Sequence, residues 1–420
     1  MKVLVIGNGG RCHAIIDKLS QSKKVDKIYC APGNDGMLPL AERVDIKVED
    51  KETLLLFALN HNIDLTVVGP EASLATGVVD LFLEHGLKIF GPTKKAAQIE
   101  TSKQFAKELM KKYDIPTADF STFDNYDEAL EYVHRKGAPI VIKYDGLAGG
   151  KGVVVAMDIP QAEQALKDML LDSKFGKDKV VIEEYLEGPE FSFLCLVDHE
   201  NVYPLELSQD HKRAFDHDMG PNTGGMGAYS PLPFISEEDK KEALEKIMVP
   251  TAKAMVKEGC PFSGVLYGGL MKTKSGIKVI EFNCRFGDPE TEVVLPRLDS
   301  DLYDAFMAIV EHKVPVLHWS KDSCIGIVMA SKGYPEHYSK GYPISGLENV
   351  QGKIYFMGVR LKDGKYVTDG GRVLIVIGKG KTLVEAREKA MQDVRKIECE
   401  NLFYRSDIAH YSIDKGESHD

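Results

Sequence analysis

Cysteine is scarce in this sequence and follows no pattern. Its seven residues, at 12, 30, 195, 260, 284, 324 and 399, are an odd number with no CxxC spacing, which argues against a disulfide framework and a cysteine zinc site. Reduced, mostly structural thiols are expected. Long apolar runs are missing as well, since none approaches the ~18 residues of a membrane-crossing helix. The opening Met1-Lys2-Val3-Leu4-Val5-Ile6-Gly7 enters a strand without a signal-peptide pattern, so a cytoplasmic location is expected. Positive charge is in deficit, with 53 Lys and Arg against 64 Asp and Glu for a net charge of −11, too acidic for a dedicated nucleic-acid binder. At about 150 residues per domain, the length suggests roughly three domains.

What stands out instead is glycine, 38 of 420 residues, or about 9% against a usual ~7%. Much of it falls at strand ends. Lys2–Ile6, Lys27–Cys30, Asp64–Val68 and Leu87–Phe90 read as strands separated by helices, the rhythm of a doubly wound parallel sheet. Each is followed by a glycine-bearing turn: Gly7-Asn8-Gly9-Gly10, Ala31-Pro32-Gly33-Asn34, Gly69-Pro70-Glu71 and Gly91-Pro92-Thr93. Ligands of such sheets bind at the carboxyl ends of the strands. Past the helical stretch ending near Tyr113-Asp114-Ile115-Pro116, where proline stops the helix, a second domain is expected. Its strands read as Pro139–Lys143, Gly152–Ala156, Val180–Glu184, Phe191–Val197, Val202–Ser208, Ser263–Lys272 and Gly276–Asn283, with helices over Ile159–Leu171 and Ser236–Lys257. The tail adds strands Ile325–Met329 and Arg372–Gly378 and a helix over Leu383–Lys396.

The first turn, between a strand and a helix, suits either a single phosphate or a plain tight βα turn. A dinucleotide is disfavoured, because Cys12 stands where GxGxxG needs its third glycine and no acidic residue ends the second strand. The run Lys143-Tyr144-Asp145-Gly146-Leu147-Ala148-Gly149-Gly150-Lys151-Gly152 places four glycines and two lysines between two strands. Glycine admits phosphate oxygens close to the backbone and lysine supplies point charge. No Ser or Thr follows the lysine, so this is not a P-loop; a hairpin covering a nucleotide fits, as does a basic solvated turn. Val180–Glu184 runs into Tyr185-Leu186, with Glu190 beyond, a strand end suited to an adenine edge and ribose hydroxyls. The glycine-rich segment Gly220–Pro231 is either floppy or shaped around a ligand. Asp210 and His211 adjoin, but neighbours on a strand face opposite ways, against an acid–base pair. Glu281 and Asn283 share a strand face as two oxygen ligands for a hard cation such as Mg²⁺, and Arg285, if the strand continues, shares their direction toward a transferring phosphoryl group. No nucleophile arrangement of the Ser-His-Asp or Cys-His kind is evident.

On these motifs, with Thr101-Ser102-Lys103, Gln209–Arg213, Arg285–Glu290 and Tyr404-Arg405-Ser406-Asp407-Ile408, the whole chain resembles the phosphoribosylamine–glycine ligase (glycinamide ribonucleotide synthetase) family of the ATP-grasp superfamily. The resemblance implies an α/β and α+β multidomain protein. It would have an N-terminal doubly wound parallel-sheet domain (1–101), an ATP-grasp core of two subdomains (102–324, small lid about 116–188) and a small mixed β/α C-terminal domain (325–420). It implies ATP-dependent ligation of glycine to 5-phosphoribosylamine through a glycyl phosphate, the second step of de novo purine synthesis. Small-molecule substrates, a Mg²⁺ or Mn²⁺ ion, no nucleic-acid or membrane partner and a monomer are expected with it. By resemblance, Lys103, Lys143 and Gly149, Gly150, Lys151 and Gly152 contact ATP phosphates; Glu183, Glu184, Tyr185 and Leu186 form the adenine hinge; Glu190 holds ribose; and Glu281 and Asn283 hold the metal. Gly9, Gly10, Gly33, Asn34 and Glu71 would lie near phosphoribosylamine, and Asp210, Arg285, Gly287, Asp288 and Pro289 near glycine and the acyl phosphate, with Arg285 and Lys143 catalytic. Cys12, Tyr144, Pro189 and Ala409 depart from the family pattern without removing a proposed charge or ligand. Two rivals remain, another ATP-grasp ligase such as a biotin carboxylase-type enzyme, and a catalytically silent nucleotide-binding module.

Overall fold

The computed structural model describes residues 1–148, 151–176 and 179–414. Its first layer is a five-stranded parallel sheet in the order Glu42–Arg43, Lys27–Pro32, Lys2–Gly7, Leu65–Val68, Ile89–Phe90. Lys2–Gly7 and Leu65–Val68 sit centrally and are buried along almost their whole length, which is why they read as continuous apolar runs rather than alternating ones. The short strand Glu42–Arg43 carries two exposed charged residues and escapes an apolar-pattern reading for that reason.

The helix Lys103–Lys112 starts at Ser102, whose side chain accepts from the Phe105 amide. Beyond it lies an antiparallel lid sheet in the order Phe120–Phe123, Val180–Glu184, Ile140–Tyr144, Val153–Ala156. Helices Tyr126–Lys136 and Ile159–Leu166 are capped by the side chains of Asn125 and Asp158. The expected helix to Leu171 is present, but its last turn, Lys167–Leu171, is π-helical. Ala129, Val133, Ile142, Leu166, Met169, Val180 and Ile182 give the lid a core of its own, so it packs as a unit apart from the rest.

A second antiparallel sheet orders Asn201–Pro204, Glu190–Asp198, Ser263–Thr273 and Gly276–Asn283. The first of these strands ends at Pro204, short of the expected Ser208, which makes only an isolated bridge to Ser192. The third sheet runs Gln209–Asp210, Gly227–Ser230, Ser323–Ser331, Arg372–Gly380, Lys353–Phe356, with Leu402–Phe403 also on Ser323–Ser331. It therefore joins the 209–230 segment to the C-terminal residues. Two large apolar clusters run through residues of all three regions outside the lid. Of the seven cysteines, all free, six are buried and Cys399 is half-buried. No helix among the described residues is long and apolar enough to cross a membrane.

Candidate active site

The expected metal pair lies at the end of the strand Gly276–Asn283. Pairing to the neighbouring strand passes from Gly269–Glu281 to Leu270–Val279, leaving Ile280 as an extra residue in a bulge, a device that re-aims side chains. The bulge frees the Ile280 carbonyl, which accepts from Lys143 Nζ at 3.0 Å and so ties the lid to this strand. Burial alone would raise the Glu281 carboxyl, but Lys212, Lys143, Lys103 and Arg285 around it hold it below its ordinary range. Asn283 is buried. Two oxygen donors side by side, one kept anionic, fit a hard cation that completes its shell with water and phosphate oxygens.

Positive charge converges on the same place. Lys143 and Lys107 both reach Glu183 Oε2, at 3.0 and 3.2 Å, so two ammonium groups share one carboxylate and a surplus positive charge stays in a buried site. Lys107 also donates to Thr117 Oγ1 at 2.7 Å. Lys107 follows Lys103 by one helical turn and shares its face, a spacing from which it could have been singled out in the sequence. Lys103 donates to the Gly146 carbonyl at 3.0 Å; burial, helped by Lys143, holds its ammonium below the usual value despite Glu281. The strand Val180–Glu184 ends at Glu184, which leaves the backbone of Tyr185 and Leu186 outside the ladder. The two lysines gather on Glu183 Oε2 while its Oε1 is left without a partner among the described residues, and its backbone lies in the ladder between Phe120 and Val141. Gly149 and Gly150 lie outside the described residues. At the base of their loop, the ring of Tyr144 fills the space a side chain on Gly146 would need, and Ala148 with the Tyr144 Cβ crowds Gly152, so this departure from the family pattern packs under the loop.

On the other flank Lys212 pairs with Glu190 at 3.2 Å. Glu190, ahead of Asp210, raises the Lys212 ammonium well above its usual value. Burial pushes the Asp210 carboxyl up to about 7, with Glu290 and Glu190 adding to the effect and Lys212 opposing it. Glu290 is buried and accepts from Tyr267 Oη at 2.8 Å. His211 faces the other way, as strand geometry requires: it is buried, its Nε2 accepts the Ala409 amide at 3.0 Å, and burial lowers its imidazole to about 3. It is a structural acceptor.

Arg285 does not continue the strand, which stops at Asn283. Its guanidinium is held by Glu71 at 3.1 Å and Glu100 at 3.0 Å, and Glu71 also lies 3.5 Å from Arg11. Burial would raise the Glu71 carboxyl, but Arg285 and Arg11 bring it down to about 2. Asp288 accepts the Arg11 amide at 3.3 Å, so the anion seat at the start of the helix Gly10–Ser20 is taken by a carboxylate of the protein itself. Asn34, near Gly33, donates to the carbonyls of Asn8 at 2.8 Å and Phe356 at 2.9 Å, stitching the turns together. Cys12 fills the space over Gly7 and Gly69 where side chains would collide with its sulfur. The glycine-rich segment near 224 is braced by the protein itself: Arg372 donates to the carbonyls of Gly224 at 3.0 Å and Asp288 at 3.1 Å, and the ring of Pro289 occupies the space beside Gly225. Gly287 abuts Glu290 in the same way. Glu100, Glu290 and Arg372 escape sequence reasoning, because only the fold brings them to the site, whereas Lys107 carried the signal of its helical spacing from Lys103.

A lid sheet bearing Lys143, with Lys103 and Lys107 on the helix before it, closed against a second antiparallel sheet that ends in a carboxylate and amide pair, defines a nucleotide-dependent ligase of the ATP-grasp class. The descriptions of phosphoribosylglycinamide synthetase match residues 1–100 as its N domain, 101–291 as its ATP-grasp (A) domain and 324–411 as its C domain. The chain belongs to this family. It is similar to a phosphoribosylamine–glycine ligase of Halalkalibacterium halodurans, with 51% identity over 98% of this chain and 97% of the relative. Among solved structures it resembles the Thermotoga maritima phosphoribosylamine–glycine ligase, at a TM-score of 0.86 and 34% identity, covering 97% of this chain and 100% of that one. A biotin carboxylase from Campylobacter jejuni shares the fold at a TM-score of 0.73 and 15% identity, over 96% of this chain and 92% of that one.

Proposed function

We propose that this chain joins glycine to 5-phosphoribosylamine at the expense of ATP in the second step of de novo purine synthesis, as a monomer in the cytoplasm. A glycine carboxylate oxygen attacks the γ-phosphorus, the bond to the β-phosphate oxygen breaks, and ADP leaves. The amine of phosphoribosylamine then attacks the carbonyl of glycyl phosphate, loses a proton and expels phosphate, giving glycinamide ribonucleotide. The observation that carries the reading is the positive charge gathered at the buried Lys143 and Lys107 and the half-buried Lys103 beside the oxygen donors of Glu281 and Asn283, in a chain of this family. Phosphoryl transfer needs positioning and charge neutralisation rather than a protein nucleophile.

In this reading Lys103, Lys143 and Lys151, with the backbone of Gly149, Gly150 and Gly152, neutralise and hold the ATP phosphates. The backbone from Glu183 through Glu184 and Tyr185 to Leu186 faces adenine, and Glu190 the ribose. Glu281 and Asn283 hold Mg²⁺ or Mn²⁺, which when bound offsets phosphate charge. Gly9, Gly10, Gly33, Asn34 and Glu71 border the phosphoribosylamine, with Asn34 shaping the turn, since its amide is already engaged. Asp210, Arg285, Gly287, Asp288 and Pro289 border glycine and the acyl phosphate, where the fixed guanidinium stabilises charge without reorganising. Release of ADP should require glycine, phosphoribosylamine and divalent metal together. An assay omitting each in turn tests this; ADP release that needs bicarbonate in place of glycine would assign the chain to the carboxylase-type rival, and no turnover at all would favour the silent module.

A further inference from the structure

Glu292 is a fully buried carboxyl that the proposed reaction does not use. It sits on the helical turn Thr291–Val294 where the three family segments meet, and a side chain on Gly10 would overlap its Oε1 and press on Met357. Neither of its oxygens receives a hydrogen bond from any described group, and Asp288 Oδ1 beside it lacks one too. Asp288 Oδ2 lies over Gly9 and Glu292 Oε1 over the next residue, Gly10, within hydrogen-bonding reach of each other, and two carboxylates so placed in a dry site cannot both stay ionised. Asp288 has the better claim to the charge. Arg372 Nη2 lies 3.3 Å from its Oδ1, and the Arg11 amide at the helix start donates to its Oδ2. The other titratable groups near Glu292 are Cys12 and Tyr355, both buried and neutral. Burial and the Asp288 charge raise the Glu292 carboxyl well above its usual range, with Arg372 too weak to reverse this; burial would raise Asp288 too, but Arg372 and the bond from Glu292 hold it low.

We propose that Glu292 is a protonated acid that donates its hydrogen to Asp288, a positioning residue that holds the Asp288 carboxylate beneath the Gly9–Arg11 turn and against Arg372. Through Asp288 the idea rests on the ligase reading, but its own chemistry does not. If Glu292 lost its proton, two adjacent anions would push Asp288 off the Arg11 amide and loosen the junction of the three segments at the substrate side.

Three readouts on the full chain test this. Glutamine keeps the donor, so Glu292→Gln should hold kcat and the substrate KM values within about threefold, whereas Glu292→Leu, lacking a donor, should raise the KM for glycine or phosphoribosylamine by roughly 10- to 100-fold. In the infrared at pH 7, the wild-type minus Glu292→Gln difference spectrum should show a deuterium-sensitive carbonyl band of a buried carboxylic acid, separate from any band of Asp210, which both proteins share. An acid whose folded value lies above its unfolded one loses stability as pH rises past 4.5, so Glu292→Gln should gain on the wild type in urea unfolding between pH 5 and pH 8. Equal impairment of the two variants, with no carbonyl band, would overturn the proposal by showing Glu292 ionised. If the wild type forms no ADP, the ligase reading falls, while the band and the stability slope still decide the state of Glu292.

Discussion

Replacing Lys107 with methionine removes one of the two ammonium groups on Glu183 and should strengthen the fold while weakening ATP binding. Lys107 is 3% exposed. Burial, with Lys143 adding repulsion, outweighs the attraction of Glu183 and lowers its ammonium from 10.5 to about 8. At ~1.4 kcal/mol per tenfold, that displacement is about 3 kcal/mol held against the charged form in the folded state. A base whose folded value is depressed binds fewer protons when folded, so wild-type stability rises as pH climbs from about 8 to 10.5. Methionine lacks that dependence. It also loses the bond to Thr117, worth ~1 kcal/mol, while Thr117 Oγ1 still donates to Val279 and Glu183 keeps Lys143 one to one. At pH 7 the variant should thus be more stable by about 2 kcal/mol, and above pH 10.5 slightly less stable than the wild type. Urea unfolding of both proteins at several pH values measures the difference directly. At the same time the surplus charge facing the phosphates disappears, so the KM for ATP should rise, an exchange of activity for stability. A variant that is destabilised by a constant amount at every pH would refute the reasoning, because Lys107 would then be a comfortable cation.

Three further substitutions probe other parts of the site and fold. Arg285→Ala leaves Glu71 and Glu100 without their shared guanidinium and should cost about 3–5 kcal/mol at pH 7. Because Arg285 and Arg11 hold Glu71 at about 2 against an ordinary 4.5, the gap from wild type should narrow as pH falls between those values, and a pH-independent gap in urea unfolding would count against the pairing. Glu281→Gln should raise the Mg²⁺ concentration needed for half-maximal ADP release, and full turnover at limiting Mg²⁺ would refute the metal assignment. Ala409 is buried at φ +70°, a left-handed conformation that favours glycine, so Ala409→Gly should stabilise by up to ~1 kcal/mol in thermal melts; an equal loss would mean that the methyl packing outweighs the backbone strain.

Glycine positions show how differently the same signal can be spent. The turns after Lys2–Gly7 and Leu65–Val68 do stand at the carboxyl ends of a parallel sheet, where the sequence rhythm placed them. The cluster near 224 looked equally suited to a ligand, yet its close approach is to Arg372 and Pro289, contacts made across long stretches of chain. A glycine-rich pattern reveals that something comes close to the backbone, not what comes close.

Local chemistry determined much from the sequence alone. Apolar runs and turn glycines set out the parallel sheet; strand alternation put Glu281 and Asn283 on one face and turned His211 away from Asp210. Those rules act over a few residues and leave their mark in the order of the chain. Tertiary structure decided who neutralises whom. Glu183 became the shared counter-ion of Lys107 and Lys143, Arg285 left its strand direction for Glu71 and Glu100, Asp288 took the helix-terminal anion seat, and Glu292 was sealed in with no donor among the described residues. Charge pairing acts through space and strengthens as water is excluded, so it depends on which distant segments the fold brings together and buries, which no local pattern records.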